Sequence, residues 1–159
     1  TALQEALLIS QANDDRQGQA SALNNLSLLA TNLGDFVSAR RYLMQALTLA
    51  RSSGDEERQA RLHYNLAWNA KQAESWDDAF DFAKQSLALY RFIGNKREEN
   101  KVLRVLGEVA MENGRFEAAF DYFQQSLDLS QQIGDLASGQ LVREAVEKLT
   151  EAQNKKGRE

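Results

Sequence analysis

The side chains that could do chemistry in this chain are few and poorly grouped. His63 is the only histidine and there is no cysteine, so no second imidazole or thiolate stands ready to share a metal with it. No nucleophile, base and orienting group fall into a recognisable set. His63 also shares its place in an internal repeat with Leu23 and Leu103, which predicts a packed histidine, not a catalytic one. Carboxylates come in pairs: Asp14-Asp15, Glu56-Glu57, Asp77-Asp78 and Glu98-Glu99. Each pair lies at an expected helix start, where the helix dipole favours negative charge, so their expected role is structural. Residues 13–18 carry a trace of a calcium loop, but Asn24 stands where the bidentate glutamate is needed, and no calcium site is expected. There is no Gly-rich loop followed by Lys and Ser or Thr to cradle a phosphate. Asn25-Leu26-Ser27 fits a glycosylation pattern yet falls in the middle of an expected helix. The expectation is a protein with no catalytic residues, no cofactor and no metal.

Composition points elsewhere. The chain has 159 residues, 43% of them apolar and 26% charged, which is the balance of a globular protein. Without proline, long helices meet no ring to break them. Nineteen Lys and Arg against 23 Asp and Glu give a net charge of −4, which argues against nucleic acid and anionic membranes as partners. No apolar run approaches the length of a membrane span, and the first residues lack a basic segment leading into an apolar signal core. A cytoplasmic location is expected. The chain begins without Met and inside a repeat, so it is expected to be a piece of a longer protein.

The elements that must position any binding residue are set by a period of 40 residues. With Gly54, Gly94 and Gly134 in one column, the blocks 15–54, 55–94 and 95–134 align without a gap. Identical columns include Leu26/Leu66/Leu106, Ala30/Ala70/Ala110 and Ala39/Ala79/Ala119; Phe36/Trp76/Phe116 and Ser27/Ala67/Gly107 are conservative. Apolar residues recur at three- and four-residue spacing twice in each block, which predicts a helical hairpin. Asp35 or Ser75 should cap the second helix of a block. Asp55, Asn95 and Asp135 should cap the first, with Asn95 and Glu98 at capping-box spacing. The small columns predict closely packed antiparallel helices, and the aromatic column should fill the corner where the second helix begins.

These columns resemble those of the tetratricopeptide repeat family. The Leu-small pairs are Leu26-Ser27, Leu66-Ala67 and Leu106-Gly107, the turn is Gly34-Asp35-Phe36, and the second-helix alanines are Ala39, Ala79 and Ala119. The longer unit is similar to the 40-residue variety of kinesin light chains, spindle-orientation adaptors and bacterial regulators of the maltose-activator type. The resemblance implies an all-α, right-handed α-solenoid of antiparallel hairpins with about eight helices. As one domain it would run from the second helix of a truncated repeat (1–14) through repeats at 15–54, 55–94 and 95–134. A terminal capping helix (135–153) and a polar tail (154–159) would follow.

The resemblance further implies a protein-binding scaffold whose concave groove is lined by the first helix of each hairpin. The residues carried onto that groove are Asn25, Arg61, Tyr64, Asn65, Trp68, Lys101 and Arg104, with Val105 ending the Asn25/Asn65 column. Stacked amides would clamp the backbone of an extended ligand. Arg61, Lys71, Lys101 and Arg104 would favour an acidic peptide or partner helix, unless Glu108 and Glu112 neutralise them by pairing. The alternative function is a regulatory or self-association segment, because Leu3, Ala6, Leu7, Leu8 and Ile9 leave the first helix with an open apolar side, expected to bind either upstream residues of a longer chain or a second copy. At the other end, Leu141, Val142, Val146 and Leu149 are expected to turn inward and the charged residues between them outward.

Overall fold

A computed structural model describes residues 1–156. Among them there are eight helices and no strand: α1 (Ala2–Ala12), α2 (Arg16–Asn32), α3 (Phe36–Ser52), α4 (Glu56–Gln72), α5 (Trp76–Ile93), α6 (Lys96–Glu112), α7 (Phe116–Ile133) and α8 (Leu136–Lys156). The last helix passes the expected end at 153, and residues 157–159 of the expected tail lie outside the described residues.

The helices begin and end where local chemistry tells them to. Asp15, Asp35, Asp55 and Asn95 each accept a hydrogen bond from a backbone N–H three residues on, and Asp135 accepts from Ser138 N at 3.0 Å. Two expected caps differ. Ser75 makes no side-chain cap, and no capping box forms at Asn95, because the Glu98 carboxylate turns to the Lys101 ammonium at 2.6 Å instead. Gly94 and Gly134 end α5 and α7 in the left-handed conformation with φ of +79° and +69°, which costs glycine nothing. The same geometry falls on Gly34 and Gly114 inside the hairpins, but on Glu74 in the middle one, where φ is +55°.

Each hairpin packs on the next. Pairs α2/α3, α4/α5 and α6/α7 form the units, and α1 and α8 close on α2 and α7. The backbones of successive first helices, α4 with α6 and α6 with α8, approach more closely than those of successive second helices, so the solenoid curves with α2, α4, α6 and α8 inside. Ala39, Ala79 and Ala119 are wholly buried, as are Ala67 and the backbone around Gly107. Their lack of bulk is what lets the helices touch. Phe36, Trp76 and Phe116 are half-buried; Trp76 packs on a cluster of Ala70, Ala79, Val105 and Val109.

Polar ties hold the register between hairpins. On the outer layer Arg40 pairs with Asp78, and Arg115 with Asp77 at 2.8 Å. Glu99 is buried at the junction of α5 and α6; burial pulls its carboxyl upward, but hydrogen bonds from Lys96 and Arg91, both at 2.9 Å, outweigh that and leave it below the usual carboxylate range. Inside the third unit, the Asn100 amide donates to Ser130 at 2.8 Å and accepts from Ser126 at 2.6 Å, both contacts buried. Asp15, Asp77, Asp78, Glu98 and Glu99 therefore serve as caps and ties, while Glu56 and Glu57 lie in the first turn of α4.

The two ends are unlike. No residue of α1 is buried: Leu7 packs partly on the core of α2 and α3, while Leu8 and Ile9 are 64% and 61% exposed. On α8, Val142 and Leu149 are buried as expected, but Leu141 is exposed. It occupies the column of Lys101, one of the groove columns, and so faces the concave side and not the core.

Candidate functional site: the concave face

The inner helices present two recesses. One, of about 180 Å³, lies between α2 and α4 and is walled by Ser21, Asn24, Asn25, Arg58 and Arg61 over Ala20 and Leu62. No carboxylate lines it. Arg58 is held by Asp55 at 3.3 Å, whereas Arg61 takes part in no ion pair among the described residues. The other, of about 440 Å³, lies among α4, α6 and α8; Lys71, Arg104 and Lys148 alternate there with Glu108, Glu112 and Glu144 around Met111, Leu141 and Ala145.

The seven expected groove residues fall along this face in two groups. Asn25 and Arg61 meet at the first recess. Asn65 sits beside it, but its amide donates to Asn24 Oδ1 at 2.9 Å, not to its column mate Asn25. The expected stack of equivalent amides is thus a pair drawn from neighbouring columns. Asn25 remains exposed. Tyr64 is half-buried against α6; burial raises its phenol above the ordinary value, and Arg104 draws it back in part. Trp68 is 40% exposed, with the Lys71 ammonium 5.0 Å from its ring centroid in a cation–π contact. Lys101 and Arg104 complete the row, but both are engaged, by Glu98 at 2.6 Å and Glu108 at 3.8 Å. The neutralisation expected of Glu108 is therefore present, and Glu108 also pairs with Lys71 of α4.

One lining position is corrected. Val105 is 1% exposed and belongs to the core under Tyr64 and Trp76, so it does not end a ladder in the groove. Its column mates Asn25 and Asn65 are exposed and half-buried, so this column is covered more deeply from one hairpin to the next. The sequence also concealed the contribution of α8: Leu141, Glu144, Ala145 and Lys148 stand 40 residues after Lys101, Arg104, Val105 and Glu108, and carrying the period one step further would have found them.

His63 is packed away from this face, 3% exposed, with its ring 6.1 Å from that of Phe82 and Nδ1 without a hydrogen-bond partner. Burial, aided by Arg51, pushes its pKa from 6.5 down to about 4. The neutral ring is the folded form, so the unfolded chain binds the extra proton between these values. The contribution of His63 to stability should be flat above pH 6.5 and fall as pH drops toward 4, by up to about 1.4 kcal/mol per unit. Urea titrations across that range should show the slope, and His63→Leu, the residue of the sister columns, should remove it.

A family model for the tetratricopeptide repeat matches residues 18–91, and a second, SHNi-TPR, matches residues 101–136. The chain belongs to the tetratricopeptide repeat family. Among solved structures, it is similar to BtubC (BKLC) from P. vanneervenii, with a TM-score of 0.72 and 17% identity over 96% of this chain and 72% of that one. It is similar as well to aspartyl phosphate phosphatase F from Bacillus subtilis, with a TM-score of 0.73 and 14% identity over 89% of this chain and 40% of that one. Kinesin light chain TPR-like repeats from Podosopora anserina give a TM-score of 0.65 at 14% identity, over 99% of this chain and 96% of theirs. At such identities the likeness is one of fold. No functionally curated protein is significantly similar in sequence. Stacks of this family are protein–protein interaction scaffolds and generally not enzymes. Among the described residues, no helix is long and apolar enough to cross a membrane.

Proposed function

We propose that the chain binds an extended acidic peptide, or an acidic partner helix, along its concave groove. Asn25, Arg61, Tyr64, Asn65, Trp68, Lys101 and Arg104 are the contact residues of this reading, and the partner is a protein, not a nucleic acid or a membrane, met in the cytoplasm. The observation that carries it is the α2/α4 recess, where Arg61 and two asparagines converge with no carboxylate in the wall. An unpaired guanidinium there offers a fork of donors to a carboxylate, and the amides offer donor and acceptor to a peptide backbone. We read the repeats as 15–54, 55–94 and 95–134, with 1–14 the second helix of a further unit, 135–153 a cap and 154–159 a tail.

A short preformed groove should bind at around micromolar Kd, on the order of −8 kcal/mol, with an on-rate that falls as salt screens the exposed charge. In a peptide-array screen followed by anisotropy on the best acidic hits, Arg61→Glu should weaken binding at least roughly tenfold. Arg41→Glu, on the outer face, should leave it unchanged. Equal loss in both variants would reduce the effect to net charge and remove the groove.

The second reading, a regulatory or self-association segment, is favoured by the exposed Leu8 and Ile9 of α1. Light scattering separates the two: an acid-binding monomer supports the groove, while a concentration-dependent dimer that takes no peptide supports self-association.

A further inference from the structure

The inner face is not uniformly basic, and Glu108 accounts for much of the difference. Its carboxylate reaches cations on two helices at once: Oε2 pairs with the Lys71 ammonium of α4, and Oε1 lies 3.8 Å from Nε of Arg104, one turn back on α6. All three side chains are mostly covered, at 28%, 18% and 25% exposure, so water and salt screen the cluster less than a surface pair. Packing does not demand an acid at this position. The same column holds Leu28, Trp68 and Lys148 in the other inner helices, so the carboxylate is particular to the third unit.

We infer that Glu108 is an internal competitor for acidic ligands and the residue that sets where along the groove an acid is read. By occupying Lys71 and Arg104 it confines carboxylate recognition to the α2/α4 end. The α6/α8 recess, where Met111, Leu141 and Ala145 supply an apolar wall among balanced charges, is left to an uncharged or apolar stretch of the same ligand. A ligand carboxylate arriving at Lys71 would have to displace one already held in place by its own helix, and would gain little by the exchange. Without Glu108, two cations from two helices would converge on one unfilled anion site. Glu108 has this role only if the groove is the binding face, as already proposed.

The probe is fluorescein-labelled hexa-aspartate, read by anisotropy at low and physiological salt against the parent chain, Glu108→Gln, Glu108→Gln with Lys71→Gln, and Arg61→Glu. Glu108→Gln should bind about tenfold tighter than the parent, equivalent to about 1.4 kcal/mol, with a steeper salt dependence, and the added Lys71→Gln should cancel the gain. A parent too weak to measure beside a Gln variant that binds supports the inference equally. Equal or weaker binding by a Gln variant with a parental melt overturns it, as does binding by neither. Should the Gln variant melt early, Glu108→Leu, the residue of the first unit, carries the same test. No gain in Glu108→Gln alongside a loss in Arg61→Glu rejects the competitor and keeps the groove; a gain alongside no loss in Arg61→Glu keeps the competitor and rejects the acid-reading end.

Discussion

Gly107→Ala should destabilise the stack on its own and do so far less once Phe123 is shortened. A Cβ at Gly107 would lie 2.5 Å from Cδ1 and 2.9 Å from Cζ of Phe123, well inside contact distance, and Phe123 is wholly buried with nowhere to swing. Overpacking of this kind costs about 1–3 kcal/mol, only partly offset by the roughly 1 kcal/mol that alanine gains over glycine in a helix. The repeat itself shows the compensation. The facing columns read Ser27 with Leu43, Ala67 with Ala83 and Gly107 with Phe123, so a large residue on the second helix is matched by a vanishing one on the first. In the middle unit, where both are alanine, Tyr64, Phe80 and Phe82 pack on the same cluster. Phe123→Leu alone leaves a cavity worth about 1–2 kcal/mol. In urea denaturation of the double-mutant cycle, the pair of changes should therefore cost at least about 1 kcal/mol less than the sum of the singles. Strictly additive costs would mean that the two residues do not share the space.

Ala79→Leu should have the largest effect of any single change considered. Ala79 is wholly buried where α4, α5 and α6 meet, against Ala70, Val105 and Val109. Three added carbons there must separate two hairpins, because the neighbours come from two other helices and none is a flexible chain end. A cost of about 3 kcal/mol is a large part of the 5–15 kcal/mol or so that holds a domain together, and should lower Tm by roughly 10 °C. A thermal melt equal to the parent would mean that the helices do not meet at this column.

The fold was legible because the repeat reports packing directly. A column that is Ala in every block, as at 39, 79 and 119, has one cheap explanation, and the columns of glycine fix where helices end. Side-chain choices among neighbours were less legible. Ser75 looked like a cap by type and place, yet its hydroxyl caps nothing, and Glu98 preferred Lys101 to the box that its spacing offered. Such choices turn on differences of a few tenths of a kcal/mol between exposed partners, which residue spacing does not resolve. The groove suffered in the same way. Its residues lie on the inner helices, but Asn65 reaches Asn24 instead of Asn25, and Val105 lies in the core. The partner a side chain meets and the depth to which a column is covered vary from hairpin to hairpin, while the sequence columns treat every hairpin as identical. The pairing of Lys71 with Glu108 joins residues 37 apart on different helices, a relation that the intrahelical spacing rule could not supply.

An isotopically labelled sample titrated with the strongest acidic peptide from the array would show directly where the ligand lies. Backbone and side-chain amide shifts should move on the inner faces of α2 and α4, at Asn24, Asn25, Arg61 and Asn65 first, and weaken through Trp68 toward α8, with α3, α5 and α7 silent on their outer sides. Shifts concentrated on α1, or along the outer helices, would place the interaction away from the groove and contradict the proposed binding face.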